Sequence, residues 1–268
     1  MKIGKETIPR TAICTSNEET IVVRGLDLCK DAIGQFSFSE YFFLLLTGNK
    51  PSASTLKVLD AALVAITEHG FVPSVQAARM TLAASPEAVQ GAVAAGILGC
   101  GSVILGASAN AGVMFDEVKY LVDGGESLPE AAHAVVSEYR ANKKPLPGYG
   151  HPLHKDRDPR VAALFKVASE SGSDLSYVDI AEAIENVIPD VVGKHLKLNV
   201  SAAIPAVLLG AGFPLQALRG VPILARSAGL VAHLHEEQQK PVGFALSYQA
   251  SRETIYEGEL PDGFVAKS

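Results

Sequence analysis

The densest gathering of reactive side chains lies at 143–160, KKPLPGYGHPLHKDRDPR, which holds four prolines, two glycines, two histidines and seven charged residues. That composition describes a structured loop, not a helix or strand. Gly148 and Gly150 let the backbone approach a ligand, and a Gly-rich turn presents N–H groups suited to phosphates or a carbonyl oxygen. His151 follows directly, held between Gly150 and Pro152, where an imidazole can donate to a carbonyl that becomes an alkoxide as a C–C bond forms or breaks. The bland alternative is a loop histidine bonded to nearby backbone. Lys143, Lys144, Lys155 and Arg157 surround the loop with cations, which suits a phosphorylated ligand. His151 and His154 stand three apart with no further ligand at metal-binding spacing, so no metal is expected.

Other residues extend the candidate site. Arg160 follows Asp158-Pro159 at a helix start, where the macrodipole disfavours a cation and a nearby anion would explain it. Arg226 interrupts an apolar helix, Leu224-Ala225-Arg226-Ser227-Ala228-Gly229, and a guanidinium there usually meets a carboxylate of the protein or of a ligand. His69 closes a helix before Gly70, where it can satisfy terminal carbonyls or bind a ligand. No G-x-S-x-G, Walker A or dinucleotide fingerprint occurs, so hydrolase, kinase and dehydrogenase readings lack support.

The elements that position these residues read as mostly α. Leu56, Leu59, Leu63 and Ile66 recur at helical spacing up to His69-Gly70. Pro73-Ser74 and Ser85-Pro86-Glu87 open two further helices, Ser127-Leu128-Pro129-Glu130 reads as a capping box, and Asp158-Pro159-Arg160 starts another helix. The pattern then gives a helix over 177–187 stopped by Pro189, an apolar segment over 198–209 interrupted by Pro205, a long helix from Pro222 to Glu237, and an irregular tail from Lys240. Thr20 to Val23 is the one strand-like stretch before Gly25. The loop at 143 is the natural junction, giving a large helical domain of 1–142 with 227–268 and a smaller mobile domain of 143–226.

Composition narrows the setting. A net charge of −6 argues against nucleic acid or an anionic membrane surface as partner. Cys14, Cys29 and Cys100 are odd in number and scattered, which fits a reducing compartment, and the polar start lacks a secretory apolar core, so the cytoplasm is expected. Residues 88–115 carry no charge, but their apolar content is mainly Ala and Gly, interrupted by Ser102, Ser108 and Asn110. This describes a buried or interface helix, not a membrane span, and predicts a homodimer.

The run Pro147-Gly148-Tyr149-Gly150-His151 with Asp158-Pro159-Arg160 resembles the signature P-G-[FY]-G-H…D-P-R of the citrate synthase superfamily. Arg24-Gly25, Leu44 to Gly48, Glu68-His69-Gly70, Leu198-Asn199-Val200 and Arg226-Ser227-Ala228-Gly229 fall in that family's order along nearly the whole chain. The resemblance implies a helical two-domain homodimer that closes over a coenzyme A thioester and a dicarboxylate. It also implies that His69, Arg160 and Arg226 hold substrate carboxylates and that His151 donates to the keto or hydroxyl oxygen.

The chain is similar in extent to the C-terminal lyase module of ATP-citrate lyase, and Gly101 to Ala107 lacks the histidine of the synthases' G-P-L-H-G, so the citryl-CoA lyase branch fits best. Two positions depart from the pattern. Asn199-Val200-Ser201 stands where the family has N-V-D, whose aspartate takes the acetyl proton. Gly243-Phe244-Ala245-Leu246 lacks the arginine that the family presents to its partner subunit, and Arg252 is a distant substitute. The expected chemistry is a metal-free retro-Claisen cleavage of citryl-CoA, or a close 3-hydroxy-acyl-CoA, to acetyl-CoA and oxaloacetate. A binding homologue without turnover and a condensing enzyme for another 2-oxo acid are the alternatives.

Overall fold

A computed structural model describes residues 8–101, 105–150 and 157–265. It opens with a small antiparallel sheet, β1 (Cys14–Ser16), β2 (Ile21–Val23) and β3 (Leu26–Asp27), in which Val23 pairs with Cys14 on one side and Leu26 on the other. The β2–β3 turn is Arg24-Gly25, both at positive φ (50° and 84°), as a two-residue hairpin of this hand requires. The Arg24 guanidinium donates to the Leu45 carbonyl at 3.0 and 2.5 Å, which ties the sheet to the end of α1 (Phe38–Thr47). Helices supply almost everything else. The Ser37–Glu40 capping box starts α1.

Contacts divide the chain into two compact units, residues 1–67 with 102–225, and residues 68–101 with 226–268. A division at 143 and 226 shares only its C-terminal boundary with these units. The reason lies in α9 (Val200–Gly210), which packs on α2 (Ala53–Thr67), α5 (Gly106–Asp123), α7 (Pro159–Glu170) and α8 (Ser176–Val192), so the segment after the loop is built into the same core as the helices before it. Val200 and every residue from Ala202 to Leu208 are buried, which makes α9 apolar on nearly all sides, as a central helix must be. In the same unit α6 (Leu128–Ala141) packs on α8 and α5.

Several local expectations change. Pro189 lies inside α8, and Gly193, left-handed at φ 74°, ends that helix instead. Pro205 likewise lies inside α9, where its ring removes the donor that would bond the Ser201 carbonyl. Ser127 caps no backbone N–H; its hydroxyl donates to Glu130 at 2.6 Å. The region after Lys240 contains α11 (Gly243–Glu253).

The second unit contains α3 (Pro73–Ala84), α4 (Val89–Leu98), the 226–239 part of α10 (Gly220–Gln239), and α11. Part of the charge-free 88–115 stretch is thus α4, and its small residues are used within the chain: a Cβ on Gly96 would lie 2.7 Å from Leu230 Cδ1 and 3.0 Å from the Ser74 carbonyl. Arg79, 1% exposed, joins three elements. Its guanidinium donates to Glu237 at 2.6 Å, to Glu236 at 2.8 Å and to the Lys240 carbonyl at 3.1 Å. The other Glu237 oxygen accepts the Val242 and Gly243 N–H groups that open α11.

Truncating one partner of such a pair strands a buried charge. Arg79→Ala is therefore expected to destabilise the protein by about 3–5 kcal/mol, measured by urea unfolding. A loss below about 1 kcal/mol, the size of a surface pair, would remove Arg79 as the anchor of this unit.

Candidate active site

In the first unit the loop and the start of α9 are built as one object. Gly148 has φ +86°, and a Cβ there would fall 2.5 Å from the Ala202 Cβ and 2.7 Å from the Ala202 nitrogen, so only glycine lets the loop lie against the helix terminus. Asn199 N–H donates to the Gly148 carbonyl at 2.9 Å, and Gly150 N–H donates to the Lys197 carbonyl at 2.7 Å. Tyr149 and Leu198 form an antiparallel bridge. Asn199 serves both partners: its Oδ1 accepts Ser201 N–H at 2.9 Å as the cap of α9, and its Nδ2 donates to the Gly150 carbonyl at 2.7 Å. Ser201 is thereby fixed in the first turn of α9, half-buried.

Tyr149 is committed to the protein. It is 7% exposed and its hydroxyl donates to the Ala181 carbonyl at 2.8 Å. Burial, with the Glu185 charge adding to it, pushes its phenol well above the ordinary range, so it stays a neutral donor.

Asp158 caps α7 and is the anion that accounts for Arg160. One carboxylate oxygen accepts the Arg160 N–H and Nε–H, both at 3.0 Å, while the other accepts Nη2–H at 2.7 Å and the Val200 N–H at 3.3 Å. Burial alone would raise the Asp158 carboxyl, but the Arg160 hydrogen bonds and charge outweigh it and hold the group below its ordinary value. Arg160 also donates to the Ala65 carbonyl at the end of α2, at 3.3 Å, and keeps 22% of its side chain exposed.

The four expected loop cations are not equivalent. Arg157 is neutralised by Glu185, at 3.2 and 2.5 Å, and by Glu182 at 3.1 Å; Lys197 joins Glu185 at 3.4 Å. Lys144 lies 5.2 Å over the Tyr139 ring and borders a hollow of about 220 Å³ with Asn110, Val113, Pro145 and Pro147. Lys143 is exposed, with φ +54° just past the end of α6. Lys155, like His151 and His154, lies outside the described residues.

In the second unit, His69 sits in a turn whose neighbours are hydrogen-bonded to each other. The Glu68 carboxylate accepts the Gly70 N–H, Gly70 has φ +76°, and His233 of α10 donates its Nε2–H to Glu68 at 2.7 Å. Arg226 is half-buried on α10, and both it and His69 are engaged with other groups of the protein. Sequence reasoning read Asp158 as the cap of α7, as found, but missed its link to α9, and it missed Asn199, Glu185, Glu68 and His233 as organisers. Asn199 was signalled only as a residue type that favours helix caps. Among the described residues no three His, Cys, Asp or Glu side chains gather to hold a metal, and no helix is long and apolar enough to cross a membrane.

The fold is mostly helical, and the comparisons place it among citrate synthase-like folds. Residues 10–243 match the model of the citrate synthase C-terminal domain, and the chain belongs to the citrate synthase family. Citrate synthases from Synechocystis and Deinococcus radiodurans are 28% and 30% identical over 76% and 74% of this chain. The chain spans about half the length of these curated relatives, 50% and 52%. Among solved structures, a citryl-CoA lyase from Hydrogenobacter thermophilus is similar at 32% identity and a TM-score of 0.83, over 97% of this chain and 98% of that one. An ATP citrate lyase from Methanosaeta concilii, in complex with (3S)-citryl-CoA, shares the fold at 20% identity and a TM-score of 0.76, over 97% of this chain and 43% of that one.

The Asp158 arrangement predicts a pH dependence. A carboxyl held below its ordinary 3.8 in the folded state contributes stability that is present above that value and is lost as pH falls through the lower folded value. In urea unfolding across a pH series, Asp158→Asn should be less stable than the wild type at neutral pH, with the gap closing in acid. A gap independent of pH would contradict the assignment.

Proposed function

We propose that the chain cleaves citryl-CoA, or a close 3-hydroxy-acyl-CoA, to acetyl-CoA and oxaloacetate or the corresponding 2-oxo acid. The observation that carries this reading is the likeness to the Hydrogenobacter citryl-CoA lyase, at 32% identity and a TM-score of 0.83, against 21% and 0.64 for a citrate synthase from Thermotoga maritima. In the reaction the hydroxyl of the substrate loses its proton and becomes the keto group. The C–C bond electrons pass to the thioester fragment as an enolate, which then takes a proton at carbon.

His151 is assigned to the oxygen at the broken bond, and Arg160, Arg226 and His69 to the carboxylates. Lys143, Lys144 and Lys155 are assigned to the coenzyme A phosphates, whereas Arg157 is already paired with Glu185 and Glu182, and the backbone of Gly148 and Gly150 is bonded to Lys197 and Asn199. Ser201, in the first turn of α9, is assigned to holding the water that protonates the enolate. A cytoplasmic homodimer completes the proposal. The names of the curated relatives favour a second reading, condensation of acetyl-CoA with a 2-oxo acid.

The test is mass spectrometry of the purified protein with citryl-CoA, and separately with acetyl-CoA and a panel of 2-oxo acids. The expected result is loss of citryl-CoA with acetyl-CoA and oxaloacetate appearing in equal amounts. Condensation with a different 2-oxo acid and no citryl-CoA cleavage would replace the first reading by the second. Turnover of neither would leave a binding protein.

A further inference from the structure

The turn that carries His69 is held from outside by a residue with no assigned role. Gly70 adopts φ +76°, its N–H is taken by one oxygen of the Glu68 carboxylate, and its carbonyl accepts the Val72 N–H at 2.8 Å where α3 begins. His69 is therefore flanked by two residues that the Glu68 side chain links. The second Glu68 oxygen accepts His233 Nε2–H at 2.7 Å. A carboxylate oxygen can only accept here, so Nε2 is the ring nitrogen that carries the hydrogen in this contact. The imidazole is 14% exposed in its side chain and stands edge-on to Phe71, with centroids 5.9 Å apart and planes at 86°. Phe71 in turn lies 5.0 Å under the Arg79 guanidinium. Glu68 itself is half exposed, so without His233 its carboxylate has water as a competing partner.

We infer that His233 is a positioning residue for His69, acting through Glu68: it locks the carboxylate that fixes the turn, and so sets the direction in which the His69 ring is presented to a substrate carboxylate. This rests on the assignment of His69 to carboxylate binding. A residue acting only through His69 has a distinctive signature, because its effect disappears once His69 is gone.

The experiment is calorimetric measurement of oxaloacetate affinity for the wild type, His69→Ala, His233→Ala, His233→Gln, Glu68→Gln and the double variant His69→Ala/His233→Ala. Losing one hydrogen bond to a charged group corresponds to about a tenfold loss of affinity, expected for His233→Ala and in part for Glu68→Gln. His233→Gln, whose amide can still donate to Glu68, should keep more affinity than His233→Ala. The double variant should bind no more weakly than His69→Ala alone. Glu68→Gln alters a half-exposed side chain, so it reports even where His233→Ala fails to fold. Full affinity in the His233 and Glu68 variants, or losses that multiply in the double variant, would overturn this inference while leaving the carboxylate assignment in place. A wild type that binds no oxaloacetate, or a His69→Ala variant that binds it normally, would overturn that assignment and this inference with it.

Discussion

The buried carboxylate of Asp158 is the constraint on which the first unit's site depends. It lies at the amino ends of two helices, capping α7 through the Arg160 N–H and reaching the Val200 N–H at the start of α9. Both ends carry partial positive charge and unsatisfied donors, so an anion there is favoured twice, and the Arg160 guanidinium supplies the full countercharge. Once α7 and α9 are joined at this point, the Gly148 to Gly150 stretch has a surface to lie on. Asn199 then closes the arrangement by capping α9 and bonding the Gly150 carbonyl at once. A cation at a helix start, unfavourable by itself, becomes tolerable because its partner is the cap of the same helix.

The second unit repeats this logic with different residues. Arg79 and Glu237 form a buried pair whose remaining hydrogen-bonding capacity goes to Glu236, the Lys240 carbonyl and the amides that begin α11. Close approach enforces the geometry, since a Cβ on Gly243 would lie 2.6 Å from the Arg79 carbonyl and the Ala83 Cβ. In both units, then, a charge that would be costly alone is satisfied completely, and helix ends are the places where it is satisfied.

What was legible in the sequence follows from the range of the forces involved. The apolar repeat of α2, the proline starts of α3 and α7 and the Gly-rich stretch at 145–150 are local patterns, and they were readable. Partner choice was not readable. Asp158 meets Val200 across 42 residues, Arg79 meets Glu237 across 158, and Glu68 meets His233 across 165. No spacing rule connects such positions, so Arg160 was given an anion without its identity. Proline misled in α8 and α9, where burial of Ile188 and Ile204, each immediately before the ring, outweighs one missing backbone bond. Propensity also says little about α11, which is held at its start by the Glu237 carboxylate and not by a capping side chain of its own.

The proposed chemistry turns on Ser201. The helix terminus, its Asn199 cap and the docked glycines are all present, yet the position where the resemblance places a carboxylate holds a hydroxyl, which is no base at neutral pH without an activating partner. In the proposed reaction a water held there protonates the enolate, and without a carboxylate base the removal of a methyl proton from acetyl-CoA is expected to be slow. The most direct test is deuterium exchange into the methyl group of acetyl-CoA, followed by NMR with a dicarboxylate analogue present. The account predicts slow exchange in the wild type and faster exchange in Ser201→Asp. Rapid exchange in the wild type, with Ser201→Asp no faster, would contradict it and assign the proton transfer to another residue.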